Sequence, residues 1–541
     1  MAGLAATFGS GAMTNSINEF EDADLFLVTG SNTIEQHPLI GIRMINAIEE
    51  KGSKLILIDP RETPLSSFAK IHLRPNIGTD VALYNGFMNI IISEELYDKD
   101  FVETRTEGFD ALKTLLSRYN PKVVEQITGI RSSDLYHAAV MYAQTDKAMI
   151  VYAMGITQHI SGTDNVKTLA NLSMLTGHLG RPSTGVNPLR GQNNVQGACD
   201  MGGLPGVFTG YQRVNDPATT KKFEDAWGVT GLDTKPGLTI TGMINAAHSG
   251  GLKALYVMGE NPFMSDPDTT HVEQALSNLD FLIVQDIFLT DTATLADVIL
   301  PAASFAEKDG TFTNTERRVQ LSRKACSPPG QARADWEIIT EIMKRCGVKS
   351  PYRGTEDIMQ EINRLTPSYA GITYSRLSKG YGLQWPCPNE DHPGTVFLHR
   401  DQFTKGKGTF LPCEYKPADE LPDEEYTFTL TTGRISYQYH TGTMTRRINI
   451  LEREAPEPLL EINPEDAKKL GIKNNDRVEV QSRRGTIEIK AEVTPRVPKQ
   501  VLFTTFHFRE APVNKLTNPA FDPIAEIPEL KVCSVKIRRC S

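Results

Sequence analysis

No apolar run in the 541 residues approaches the ~20 needed to span a bilayer. The longest, such as Phe281 to Val284, are the size of a strand. The opening Met-Ala-Gly-Leu-Ala-Ala-Thr has neither a basic n-region nor an apolar h-region, so no signal peptide is legible there. Positive charge is also short: 57 Lys and Arg against 66 Asp and Glu leave a formal net charge of −9. Binders of nucleic acid or of anionic membranes need basic patches, and this balance argues against both. Cysteine is sparse. Cys199, Cys326, Cys346, Cys387, Cys413, Cys533 and Cys540 include no pair at CxxC spacing. That excludes a zinc ribbon or a cysteine-run iron–sulfur cluster within this chain. An odd count in a long chain argues against a disulfide scaffold. These cysteines are expected to be small buried hydrophobes, and the missing disulfide pattern points to a cytoplasmic setting. Finally, no GxGxxG follows a strand, which disfavours a plain NAD-dependent dehydrogenase.

What is present is an ordinary globular profile, 39% hydrophobic and 23% charged, long enough for about three or four domains. Short apolar runs ending in Gly, Asp or Asn read as buried parallel strands. Asp24-Leu-Phe-Leu-Val-Thr-Gly30 is the first. A helix over roughly Gly41 to Glu50 follows, with Ile42, Ile45 and Ile48 on one face, and then the strand Lys54-Leu-Ile-Leu-Ile-Asp59. The pattern returns in Ala254-Leu-Tyr-Val-Met-Gly259 and Phe281-Leu-Ile-Val-Gln-Asp286. From Gly30 to Asp59 is 29 residues, and from Gly259 to Asp286 is 27. Two such strand–helix–strand units predict two similar ligand crevices beyond the carboxyl ends of the strands. A Gly there lets backbone N–H groups approach a diphosphate, and an acidic residue ending the next strand accepts from a ribose or a guanine edge. The alternative is that Gly and Asp merely end strands.

Past an acidic, Pro-rich linker at Pro417 to Glu425 the pattern changes. Tyr426 to Leu430 alternates as a strand. Asn463 and Pro464 open a helix as N-cap and N1, and Gly471 stops it. Arg477 to Ser482 and Thr486 to Lys490 alternate strictly around an Arg483-Arg484-Gly485 turn. The predicted fold class is α/β, with two nucleotide-binding-like parallel-sheet domains, residues 1–190 and 191–415, and a C-terminal β-barrel, residues 426–541.

The most unusual stretch is Gly185 to Gly203, with five Gly, three Asn and two Gln. It reads either as a loop of backbone turns or as a polar lining for a ligand. Its one cation, Arg190, is either a solvated surface group or a bidentate clamp for a small carboxylate.

At this loop, Asn187-Pro-Leu-Arg-Gly-Gln-Asn-Asn-Val-Gln-Gly-Ala-Cys-Asp-Met-Gly202, the chain resembles the molybdenum- or tungsten-dependent formate dehydrogenases, members of the bis(molybdopterin guanine dinucleotide) oxidoreductases. The resemblance runs through Gly11 to Glu19, His37-Pro38, Asp59-Pro60-Arg61, Met154 to Gln158, Leu175 to Gly180, Met258 to Pro262, Gln285 to Phe288, Ala296 to Pro301, Thr432 to Arg434 and His440 to Met444. It implies that Gly30, Asn32, Glu35, Asp59, Arg61, Gly78 and Asp80 line one pterin dinucleotide. Gly259, Glu260, Asn261, Gln285, Asp286 and Asp335 would line the other. Met154, Gly155, Gln158 and Gln192 would lie near the pterins and the metal. Thr432, Arg434, His440, His507 and Asn514 would close the barrel over the cofactor. Arg190 would hold formate while two electrons pass to the metal, the redox chemistry belonging to the cofactor. Formate or CO2, and iron–sulfur or flavin subunits, are the implied partners; nucleic acid and membrane are not.

The resemblance also implies a preceding domain with four cysteines for a [4Fe–4S] cluster, then a cysteine or selenocysteine metal ligand followed by a catalytic His. None of these is in the chain, so no metal ligand is assigned to it. The expectation is a reading frame that begins just after an in-frame UGA selenocysteine codon, with a plain fragment or a stand-alone protein as rivals. The chain by itself is then expected to be inactive on formate. A nitrate reductase of the same family and a non-catalytic cofactor-binding chain are the competing functions.

Overall fold

A computed structural model describes residues 1–540. Leu25–Thr29 (β1) is buried at every position, as a strand covered on both faces must be. Lys54–Ile58 (β2), Ile71–Leu73 (β3), Ala148–Tyr152 (β4) and Gly185–Pro188 (β5) join it in one parallel sheet of order β3-β2-β1-β4-β5. The chain moves outward from β1 to β2 and β3, then returns to β1's other side for β4 and β5. The order therefore reverses between β1 and β4, and the crevice of an open α/β sheet lies at that reversal, beyond the strands' carboxyl ends.

Pro38–Lys51 (α1) packs on this sheet, with Pro38 in its first turn and Gly52 closing it at φ 74°. Its buried stripe is Ile40, Gly41, Met44 and Ala47; Ile42 is exposed. The expected face 42/45/48 is displaced, because spacing by threes winds off the stripe that i, i+4, i+7 keeps in line. Asp80–Ser93 (α2) and Gly162–Leu175 (α3) are mostly buried helices of the same unit.

The Gly-rich stretch is less loop-like than expected. Its first four residues are the buried strand β5, and Val195–Asp200 (α4) is a short helix. Pairing with β4 on one side, and bonds to Thr14 and His178 at Gly185 and Val186, hold the backbone of this strand despite its poor apolar content.

The chain divides into two compact units, one comprising Met1–Leu189, Met264–Thr270 and the segment from Phe397 onward, the other Arg190–Phe263 and His271–Val396. In the second, Ala254–Met258 (β6), Phe281–Asp286 (β7) and Val298–Pro301 (β8) form a parallel sheet, as the repeated pattern predicts. Gly310–Thr313 (β9), Arg318–Ser322 (β10) and Leu383–Gln384 (β11) form an antiparallel one. Asp335–Arg345 (α5) lies in the same unit.

In the first unit a closed barrel follows the linker. Phe428–Gly433 (β12), Leu459–Ile462 (β13), Arg477–Gln481 (β14), Thr486–Val493 (β15), Val501–Thr505 (β16) and Cys533–Arg539 (β17) close in the order β12-β16-β13-β15-β14-β17. Alternate residues of β14 and β15 point into its core: Val478, Val480, Ile487, Ile489 and Ala491. Among the described residues no helix is long and apolar enough to cross a membrane. Cys199, Cys387, Cys413 and Cys533 are buried as expected, but Cys326 and Cys346 are exposed, the first in a loop and the second at the end of α5.

Candidate functional site

The reversal in the first sheet is built on two glycines. Gly30 ends β1 at φ 54°, and the Gly155 N–H donates to its carbonyl at 3.0 Å. A Cβ on Gly30 would meet the Gly155 carbonyl carbon at 2.7 Å, and one on Gly155 would meet Gly30 Cα at 2.6 Å. Neither turn tolerates a side chain, because the two backbones touch. Just beyond, Asn32 opens the one-turn helix Thr33–Gln36. Asn32 Nδ2 and Oδ1, Gln36 Nε2 and His159 Nδ1 are buried without a hydrogen-bond partner among the described residues. Buried polar atoms are nearly always paired, so this group fits a polar ligand that supplies the missing partners.

Asp59 and Asp80 face the same region. Burial pushes the Asp59 carboxyl up to about 6, against the Arg61 backbone N–H that donates to it at 2.9 Å. Burial and then the neighbouring Asp59 push Asp80 up to about 7. Gly78 has room in front: the atoms nearest to a Cβ there would be Ala418 Cβ, Val532 Cγ2 and His159 Nδ1, none closer than 3.6 Å. The Arg61 side chain is spent elsewhere. Its Nε and Nη2 donate to Glu461 of β13 at 2.7 and 2.5 Å, and it lies over the Phe503 ring at 4.1 Å. Glu35 adds to the negative field around it.

Barrel residues carry positive charge to this unit. Arg434 stacks over Phe506 at 5.4 Å and, among the described residues, forms no ion pair. Its charge is felt by His37, His440, His507 and Lys531. Burial, with Arg434 second, lowers Lys531 to about 8; its Nζ donates to the Thr432 carbonyl at 2.5 Å. His507 Nε2 accepts from Ile435 N–H at 3.1 Å, so its Nδ1 carries the proton donated to the His440 carbonyl. Burial holds His37, His159, His440 and His507 near 4. They are neutral at neutral pH, leaving Arg434 and Lys531 as half-buried cations suited to a multiply charged anion. Asn514 has a different duty: its amide donates to the Met264 and Ser265 carbonyls at 2.8 and 3.0 Å. Met154 lies part-exposed after β4, and the Gln158 carbonyl accepts from Lys531 N–H at 3.3 Å.

The second unit repeats the plan more simply. Gly259 ends β6 at φ 64°, and a Cβ there would meet open space. Beside Glu260, Asn261 Oδ1 accepts from Thr292 N–H and Oγ1 at 3.2 and 2.8 Å. Gln285 Nε2 donates to Asp335 Oδ1 at 2.6 Å, and Tyr256 and Lys308 complete that cluster. Asp286 Oδ1 accepts from Ile287 N–H at 2.6 Å. Gln285 and Asp335, 50 residues apart, thus meet at one strand end.

Arg190 lies half-buried ahead of α4 with Gln192. Its backbone N–H donates to Thr315 Oγ1 at 3.1 Å, and Nη2 donates to Gln196 Oε1 at 3.4 Å.

The molybdopterin oxidoreductase family profile matches residues 3–345. The chain belongs to that family. The molybdopterin dinucleotide binding domain matches residues 428–534, which takes in the barrel except for most of β17, so the cofactor class is a molybdopterin. The F420-dependent formate dehydrogenase subunit alpha of Methanocaldococcus jannaschii is 54% identical over 543 residues, covering all of this chain and 80% of the relative. Formate dehydrogenase H of Escherichia coli is 41% identical, covering 99% and 76%. The acetylene hydratase of Pelobacter acetylenicus shares the fold at TM-score 0.78 and 22% identity, covering the whole chain and 80% of that structure.

His159, Lys531 and Asp200 escaped the sequence reading. A lone Lys between Leu530 and Val532 is a signal that could have been weighed; His159 and Asp200 acquire meaning only from neighbours far along the chain.

Proposed function

We propose that this molybdopterin oxidoreductase chain is the catalytic subunit of a formate dehydrogenase, carrying out HCOO⁻ → CO2 + H⁺ + 2e⁻ or its reverse. Its identity of 54%, over the whole of this chain and 80% of the relative, to a protein named as a formate dehydrogenase alpha subunit carries the reading. Two pterin guanine dinucleotides with molybdenum or tungsten supply the two-electron chemistry when bound.

The chain's own residues bind and orient. In the first crevice, residues 1–190 with the barrel 426–541, Asn32, Gln36 and His159 Nδ1 supply unpaired polar atoms. Asp59 and Asp80 suit the N–H edge of a guanine, and Arg434 and Lys531 suit the diphosphate. In 191–415, Gly259 leaves room for a close backbone approach, and Asn261, Gln285, Asp286 and Asp335 line the strand ends. Arg190 receives the formate carboxylate through parallel N–H groups, which orients the anion and holds its charge. The F420-dependent names of three relatives, between 48% and 54% identical, support F420 as the final acceptor, reached through iron–sulfur or flavin partner subunits.

The test is formate-dependent against nitrate-dependent dye reactions of the native enzyme, with molybdenum and tungsten counted on the same sample. Formate turnover that falls at least about 100-fold in kcat/KM on Arg190→Gln is expected. Nitrate turnover without formate turnover would overturn the proposal.

A further inference from the structure

Asp200, the last residue of α4, has no exposed surface. Its Oδ1 accepts from Gln196 Nε2 at 2.8 Å and from Tyr211 Oη at 2.7 Å. Its Oδ2 accepts from Tyr369 Oη at 2.5 Å and from Trp385 Nε1 at 2.6 Å. Burial raises the pKa of this group, while the four donors hold its charged form. So complete a set of donors around one buried carboxylate ties together segments far apart in sequence, and a purely structural hub could stop there.

The geometry at Gln196 goes further. Gln196 and Asp200 are four residues apart on one helix face. The Gln196 amide donates from Nε2 to Asp200 Oδ1 and to Tyr211 Oη, each at 2.8 Å. That leaves Oε1 facing Arg190 Nη2 at 3.4 Å. Turned over, the amide would set oxygen against carboxylate and NH2 against guanidinium, two repulsive contacts in a buried place. The charge on Asp200 therefore decides which end of Gln196 Arg190 meets. The Arg190 backbone is fixed separately, at Thr315 Oγ1.

We infer that Asp200 is a positioning residue for Arg190, acting through the Gln196 amide to set the direction in which the guanidinium presents its N–H groups to a small carboxylate. The inference rests on the formate reading for its substrate. A clamp that is aimed before the anion arrives spends less ordering entropy on binding and holds the reacting C–H in place.

The test is a double-mutant cycle in the native enzyme. Gln196→Met keeps the side chain's length and removes the amide; Asp200→Asn keeps size and replaces one acceptor by a donor. Gln196→Met is expected to lower kcat/KM for formate about 10–100-fold at unchanged pterin content. On an Arg190→Lys background the same change is expected to cost under about 3-fold, because the coupled partner is already gone. Losses that simply multiply, or an unchanged kcat/KM in Gln196→Met, would overturn the inference even if Asp200→Asn fails to fold. A crystal structure of Gln196→Met decides it without turnover: a displaced Arg190 guanidinium supports positioning, an unmoved one overturns it. An unsubstituted enzyme that ignores formate would remove the formate reading alone, leaving that structure to judge the positioning.

Discussion

The His159 ring donates from Nε2 to the Gly155 carbonyl at 2.9 Å, which leaves Nδ1 as a bare acceptor in the buried wall of the first crevice. Burial lowers its pKa to about 4 from the ordinary 6.5. A basic group so lowered contributes stability above pH 6.5 and loses it as pH falls toward 4, because the unfolded chain binds the proton first. His159→Gln keeps an N–H donor and cannot titrate. Its urea-unfolding free energy is expected to fall less than the wild type's over that window, by up to about 3 kcal/mol. Parallel pH curves would exclude this origin. Asp59 and Asp80 titrate in the opposite sense across the same range, so the difference between the two proteins, not either curve alone, is the readout. The two strand-end glycines separate conformation from packing. Gly259→Ala adds a methyl into open space and pays only for φ 64°, about 1–2 kcal/mol. Gly30→Ala adds the same strain and drives its methyl to 2.7 Å from the Gly155 backbone. Thermal melting is expected to show the larger loss at Gly30 by several degrees; equal losses would contradict the close approach.

Elements close where their ends carry their own chemistry. Pro464–Leu470 (α6) begins with Asn463 Oδ1 accepting from Glu465 N–H at 3.0 Å and ends at Gly471 with φ 66°. Asn463→Ala is expected to cost about 1 kcal/mol in chemical denaturation, with activity unchanged; a neutral result would place the helix's stability in packing alone. Nearby, β13 supplies Glu461, which binds Arg61 bidentately and Arg496 Nη2 at 2.8 Å. The loop after β2 and the barrel wall are thereby joined by a buried, charge-assisted contact that neither element contains by itself.

In the first unit, burial keeps His37, His159, His440 and His507 neutral while Arg434 and Lys531 keep positive charge, with Asp59 as the carboxylate that Lys531 feels. Such cations repel until an anion lies between them. Cofactor-free protein is therefore expected to melt higher in pyrophosphate than in chloride at equal ionic strength, since a ligand that binds only the folded state stabilises it. Arg434→Gln is expected to remove most of that difference. Equal melting in the two salts would show that the cationic pocket does not select diphosphate.

Much of this protein was legible in local pattern. Continuous apolar runs give β1, β2, β6 and β7 to within a residue; β1 and β2 are buried on both faces, as such runs predict, whereas β6 leaves Tyr256 and Met258 exposed and β7 leaves Phe281 exposed. Asn463, Pro464 and Gly471 mark their helix because capping is a matter of a few neighbouring residues. The Gly-, Asn- and Gln-rich motif around Arg190 carried the family. What local pattern could not decide was which strand lies beside which. Leu25 pairs with Ala148, and that single adjacency creates the reversal where Gly30 and Gly155 touch. Pairing with β4 also turned part of an apparent loop into β5, and contacts far along the chain gave His159, Lys531 and Asp200 their surroundings. Strand period and helix caps act over a few residues and are written in order along the chain. Strand order, burial of a charge and the partner of a side chain depend on contacts a hundred or more residues apart, and only the folded molecule brings those together.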